Sequence, residues 1–108
     1  MKPSKRAYHQ HEALKQTILA NPHMIGLEAI LNYQEEVEYY NSRRLLGKVD
    51  LMLWDGQARR YIIEVTTSTS PWGRLRLQKQ ARRAKRYFQD STVITVQQQQ
   101  GGLEVTWY

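Results

Sequence analysis

Cysteine is missing from this chain of 108 residues, which excludes disulfides, Cys-based zinc sites and thiol catalysis. Long hydrophobic runs are missing too. Nothing approaches the roughly 18 apolar residues of a membrane span, and the opening MKPSKRAYHQHEALK lacks the apolar centre of an export signal. A cytoplasmic protein is therefore the expectation. There are no long linkers or internal repeats, so the length suits a single domain over residues 1–108 with one modest core. Acids are absent from one place in particular. Residues 73–89 hold Arg74, Arg76, Lys79, Arg82, Arg83, Lys85 and Arg86 with no Asp or Glu, in a chain of net charge +6. This asymmetry favours a polyanionic partner, nucleic acid ahead of an anionic membrane surface, although a solvated helix face on a basic protein is the plain alternative.

The apolar pattern divides the chain into helices and strands. Residues 4–20 read as a helix, with Tyr8, His11, Leu14, Ile18 and Leu19 near helical spacing, and Asn21-Pro22 interrupts it. Residues 24–31 suit a second helical piece. Strands are expected over residues 37–44, 48–54 and 60–68, with Gly47 breaking the first junction and Asp55-Gly56 supplying turn chemistry at the second. Residues 67–73, TSTSPWG, form a loop by composition. A helix follows over residues 74–89, with Leu77, Ala81, Ala84 and Phe88 as a narrow apolar stripe. Residues 91–100 and 103–108 supply two further strands, and the Gln97–Gln100 tract reads as a strand end or turn. The order predicts an α+β fold: helix, three-strand meander, helix, strand, strand, with the helices packed on a mixed sheet.

Two acids sit among apolar neighbours in the meander. Asp50 lies in GKVDLMLW and Glu64 in RYIIEVT. Side chains alternate along a strand, so Asp50 shares a face with Met52 and Trp54, and Glu64 with Ile62 and Thr66. A turn centred near Gln57 sets Asp50 almost opposite Glu64. Like charges on directly opposed residues repel. A divalent cation between them relieves that repulsion, and hard oxygen donors on a rigid sheet suit Mg²⁺ or Mn²⁺. Pairing of each acid with a neighbouring Lys or Arg is the competing explanation.

The element order, together with Gly47-Lys48-Val49-Asp50-Leu51 and Ile62-Ile63-Glu64-Val65-Thr66, resembles the PD-(D/E)xK nuclease superfamily over roughly residues 10–97. Restriction endonucleases, Holliday-junction resolvases and small VRR-type nucleases belong to it. The resemblance implies a restriction-endonuclease-like core and Mg²⁺- or Mn²⁺-dependent hydrolysis of DNA phosphodiesters. It implies Asp50, Glu64 and the Val65 carbonyl as metal ligands, and Gln80, with Gln78 as its rival, as a site residue. Arg74, Arg76, Lys79, Arg82, Arg83 and Arg86 would contact phosphates, and a homodimer would give so small a domain enough surface for DNA. The chain departs from the family pattern at Thr66, where a Lys is usual. Either Lys79 or Arg83 from the following helix takes over the cationic role, or catalysis is lost and a nucleic-acid-binding module or subunit of a larger complex remains.

Family members often add a Glu from the first helix to the metal shell. Glu12 is preferred here over Glu28, and His9 or His11 is close enough in sequence to approach the same site. A zinc site from His9, His11 and His23 is disfavoured, because positions two apart point to different sides of a helix. Trp72 reads as a base-stacking or wedge residue, or as the cover of a core edge. Of Tyr39 and Tyr40, which straddle a strand, at least one belongs to the core.

Overall fold

A computed structural model describes residues 5–108; the expected helix start at Ser4 lies outside them. Helix α1 spans Lys5–Ala20 and buries Leu14 and Ile18, four residues apart on one face. Pro22 stops it, because proline lacks the N–H that a further turn needs and disfavours helical backbone in the residue before it. The helix expected over residues 24–31 does not form. A 3-10 turn, Pro22–Ile25, stands there instead, closed by Gly26 at φ 90°. That left-handed conformation ends the turn and is cheap only for glycine. Ile25 and Leu27 on either side of it are buried.

Strands β1 (Asn32–Asn41) and β2 (Arg44–Trp54) form a long antiparallel hairpin. Its turn falls at Ser42, where φ is 54°, and not at Gly47 as the sequence suggested. Gly47 lies inside β2 opposite Tyr39. A side-chain carbon at Gly47 would come within 2.7 Å of the Tyr39 hydroxyl and 3.1 Å of Arg83 Nε. Glycine serves here for close packing, a role composition cannot separate from a turn. The second junction matches expectation. Strand β3 (Arg60–Thr66) pairs with β2 through Leu51 opposite Ile63 and Trp54 opposite Arg60, a register centred on Gln57.

Helix α2 runs from Pro71 to Tyr87, starting three residues before the expected Arg74. The Ser70 hydroxyl accepts a hydrogen bond from the Gly73 amide at 3.1 Å, and Pro71 takes the first helical position. Ser-Pro is thus a helix start rather than part of a loop. β4 (Thr92–Gln99) and β5 (Gly102–Trp107) complete a five-stranded sheet in the order β1-β2-β3-β4-β5. Only β3 and β4 are parallel, joined by the α2 crossover that a parallel pair requires. The predicted α+β architecture, helices on a mixed sheet, is the one observed.

The helices cover opposite faces. Leu14 and Ile18 of α1 pack over Leu51, Leu53, Ile63 and Val65. Ala81 and Ala84 of α2, with Phe88 at its end, pack over Val49, Met52 and Ile62. Each large aliphatic side chain buried this way stabilises the fold by about 1.5–3 kcal/mol. The alternation breaks at one point on β2: Leu51 and Leu53 face α1, but Val49 packs on the α2 side. The break occurs at Asp50. Tyr39 is buried and Tyr40 exposed, so one of the pair is core. Among the described residues, no helix is long and apolar enough to cross a membrane.

Candidate functional site

The β2–β3 ladder stops at Leu51 and Ile63, one step short of Asp50 and Glu64. Beyond that step the two carboxylates replace the backbone pairing. The Asp50 amide donates to Glu64 Oε1 at 3.0 Å, and the Val65 amide donates to Asp50 Oδ2 at 2.8 Å. Each acid thus terminates the other strand's row of amides, which holds both side chains in fixed positions at the open end of the hairpin. Their environments differ. Asp50 lines a cleft, whereas Glu64 is only 2 % exposed and is not one of the residues that line it. Burial, reinforced by the charge of Asp50, pushes the Glu64 carboxyl up to about 8, against the opposing pull of the Asp50 amide and the Arg83 guanidinium.

The cleft has a volume of about 840 Å³ and lies at this end of the sheet, between the N-terminal halves of α1 and α2. Helix α1 brings His11, Glu12 and Lys15 to it, β1 brings Glu35 and Glu36, and β2 adds Lys48 beside Asp50. Glu36 adopts φ 53°, a conformation uncommon for a residue with a side chain, and its place at the cleft links that local strain to the site. His11, Glu36 and Asp50 each offer a ligand atom within 4.8 Å of the others, a group able to hold a metal ion. His11 Nε2 lies 3.5 Å from Asp50 Oδ1. Its hydrogen bond with Asp50 raises the imidazole above its ordinary range, although burial works the other way.

Lys15 stands at the centre of the acids. Its Nζ lies 2.7 Å from Glu36, 3.1 Å from Glu12 and 3.4 Å from Glu35, and the side chain is only 1 % exposed. Burial disfavours its charge, but the hydrogen bonds to Glu36 and Glu12 outweigh that and raise the ammonium well above its ordinary value. Glu36 responds in the opposite sense. Burial pushes it up, and Lys15 and Lys48 together bring it below the usual carboxylate range. Lys48 pairs with Glu36 Oε2 at 3.0 Å and remains accessible; that hydrogen bond is the main reason its own value is raised.

The residues singled out from the sequence are distributed as follows. Asp50, Val65, Thr66, Gln80, Arg76 and Glu12 line the cleft. Gln78 does not, which separates it from Gln80, and Glu28 lines a different groove beside Asp55 and Trp107. Thr66 is engaged locally, its Oγ1 accepting from the Ser68 amide at 3.2 Å. Arg83 donates through Nε to the Tyr39 hydroxyl at 3.3 Å, and its charge acts on Glu64. Arg74 is tied to the sheet, 2.6 Å from Glu104 and 3.2 Å from Gln97 Oε1. Lys79, Arg82 and Arg86 are exposed and outside the cleft lining. His9 and His23 are exposed and stand apart from His11.

Sequence reasoning missed Lys15 and Glu36. Lys15 could have been found, since it lies beside Leu14 and one turn after His11 on the buried side of an amphipathic helix. Glu36 carried no such signal. It reads as one of several acids before a strand, and only its pairing beside β2 brings it to Asp50.

No protein-family model matches this sequence, and no curated protein matches it. The crystal structure of SSO0001 is similar in fold, with a TM-score of 0.61 and 18% identity, covering 94% of this chain and 48% of that one. The chain thus spans about half the length of that structure, and the likeness is one of fold alone. The crystal structure of a repair endonuclease from Pyrococcus abyssi aligns at a TM-score of 0.44 and 14% identity, over 90% of this chain and 38% of that one. That second likeness is too loose to carry an argument.

Proposed function

We propose that this chain is a metal-dependent nuclease of PD-(D/E)xK type that hydrolyses DNA phosphodiester bonds. The observation that carries the reading is the termination of the β2–β3 ladder by Asp50 and Glu64 at a cleft where His11 and Glu36 also converge. The donor set fits a divalent cation. It combines oxygen donors with one imidazole, and the nearby Glu64 carboxyl, raised by burial and by the charge of Asp50, would be returned toward its ionised form by a bound cation. Asp50, with His11 and Glu36, would hold the ion, and Glu64 and the Val65 carbonyl would complete the shell. Mg²⁺ or Mn²⁺ there would act as a Lewis acid on a phosphoryl oxygen and make a nearby water more acidic.

The chain's own residues have separable roles. Glu12 and Lys15 fix the position of Glu36. Gln80, on the α2 wall of the cleft, orients water or phosphate through its amide. Lys48 is the accessible cation beside Glu36 and Asp50, and we assign it the charge-stabilising role that Thr66 cannot fill. Arg76, Lys79, Arg82, Arg83 and Arg86 supply positive charge for the DNA backbone, and a homodimer would extend that surface with two-fold symmetry. Solvent water in the cleft is the nucleophile, so no covalent enzyme intermediate is required.

A second reading, a non-catalytic nucleic-acid-binding module, is favoured by one observation: Thr66 lacks the motif's ammonium and its hydroxyl is already engaged. A cleavage screen with Mg²⁺ and Mn²⁺ on single-stranded, duplex, flap and four-way DNA separates the two. The nuclease reading requires cleavage that Asp50→Ala abolishes and Lys48→Met lowers about 10²-fold, while Lys79→Met weakens DNA binding and leaves the rate at saturating DNA nearly unchanged. Cleavage of none of these substrates rejects it in favour of the binding module.

A further inference from the structure

We propose that Trp72 is a base-stacking platform for single-stranded nucleic acid approaching the cleft. The inference rests on the nucleic-acid reading above and adds the form of nucleic acid that is bound. Trp72 lies in the first turn of α2 and is 77 % exposed. Indole presents a large apolar face, and leaving it in water gains the folded domain nothing. Its neighbours identify the occupant. At helical spacing after it come Arg76, Lys79, Arg83 and Arg86, all exposed on the same face of α2, which contains no acid. This row extends for about 21 Å along the helix at 1.5 Å per residue. A flat aromatic at the head of a line of cations is how proteins bind unpaired strands: the charges follow the phosphates and the ring stacks on a base.

The site of chemistry lies alongside. Gly73 and Arg76, one and four residues after Trp72, line the cleft, and Tyr8 of α1 lines it as another exposed aromatic. A duplex is the poorer match for an isolated exposed indole, because the faces of its bases are already stacked on one another. An unpaired strand offers bare base faces. The apolar surface around Trp72 and Leu75 could alternatively seat a second copy of the chain, but seven like charges on the same helix oppose such a contact.

The test uses the whole chain in EDTA, so that binding is measured without cleavage. Anisotropy titrations compare a labelled single-stranded oligonucleotide, the same oligonucleotide with abasic sites, and a duplex of equal length. Trp72→Ala should weaken single-strand binding roughly 5- to 100-fold, while duplex binding changes less than about twofold and the salt dependence is retained. Trp72→Phe should keep most of the affinity. Abasic sites should lower wild-type affinity to that of Trp72→Ala and leave the variant unchanged. An equal loss on all three ligands, or no loss on any, overturns the proposal. So does a loss of self-association in sedimentation with single-strand binding intact. If the wild type binds none of the three ligands, this proposal and the nucleic-acid reading fail together; if it binds all of them and Trp72→Ala does not discriminate, only the proposal fails.

Discussion

The β2–β3 hairpin carries acids at both ends, and the two ends treat them differently. At the closed end Asp55 accepts hydrogen bonds from the Gln57 and Arg59 amides, from Arg59 Nε at 2.8 Å and from the Tyr61 hydroxyl at 3.2 Å. Burial works against its charge, but those donors hold it below the usual carboxylate range. At the open end Glu64 is raised and has a second carboxylate, Asp50, as its neighbour. Asp55 is matched by the fold itself and does structural work. The open end sets two carboxylates side by side with one of them raised, and perturbed groups of that kind concentrate at functional sites.

The two ends should differ most at Asp50. On the proposed nuclease reading, Asp50→Asn is expected to lower Mn²⁺-dependent cleavage by at least about 10³-fold, since it would remove a ligand charge and a transition-state contact together. Mn²⁺ titration by calorimetry should show the matching loss of binding. Asp55→Asn, at the other end, should leave both readouts near wild type. Comparable losses from the two substitutions would make the two ends functionally equivalent.

Lys15 gives the next largest effect. Lys15→Met leaves Glu12, Glu35 and Glu36 facing one another without their shared cation. The three glutamates left behind are each about a third exposed, so water screens them and the loss is about 1–2 kcal/mol, which urea denaturation will read directly. The loss should shrink at low pH, where the glutamates are protonated and no longer repel. A variant as stable as wild type at pH 7 would show that the cluster is not held by Lys15.

Asp55→Ala should lower the melting temperature by roughly 5 °C, because it strips the turn of its acceptor for two backbone amides, one guanidinium and one hydroxyl. Mn²⁺ affinity should not change. A drop in Mn²⁺ affinity would mean that the two ends are coupled through the strands.

Glu64→Gln tests the open end through the sign of its effect on stability. Glu64 ionises near 4.5 when unperturbed and near 8 in the fold. Below the first value both folded and unfolded chains hold the proton, and the residue costs nothing. Between the two values the unfolded chain gives up a proton that the folded chain keeps, so stability falls as pH rises. Above about 8 the cost is constant. In metal-free solution Glu64→Gln should therefore stabilise the domain by roughly 1–3 kcal/mol at pH 8.5 and by almost nothing at pH 4. A substitution that destabilises equally at both pH values would place Glu64 with Asp55 as a structural acid.

The smallest effect concerns the basic helix. Arg83→Gln should reduce the log–log salt slope for duplex binding by about one contact, whereas Arg59→Gln, at the closed end of the hairpin, should leave it unchanged. Equal slopes in both variants and wild type would remove α2 as the phosphate-binding surface.

The facing acids were legible in the local sequence. Asp55-Gly56 marked the turn, period-two alternation marked the strands on either side, and together they set a register centred on Gln57 with Asp50 opposite Glu64. These are local rules acting over about 15 residues. The apolar stripe of α2 was legible for the same reason, while its start at Pro71 was missed because Ser-Pro serves turns and helix starts alike. Gly47 was misread because glycine marks either a turn or a tight contact, and the contact is made by Tyr39 and Arg83 from two other elements. The remainder of the site was decided by tertiary structure. Helical spacing shows which side of α1 carries His11 and Lys15, but not which end of the sheet that side meets. Glu36 reaches Lys15 across 21 positions of sequence. It reaches the cleft only because β1 pairs beside β2 and its own backbone turns to φ 53°. A buried ammonium depends on several carboxylates arriving together, and no periodicity within one segment encodes that meeting.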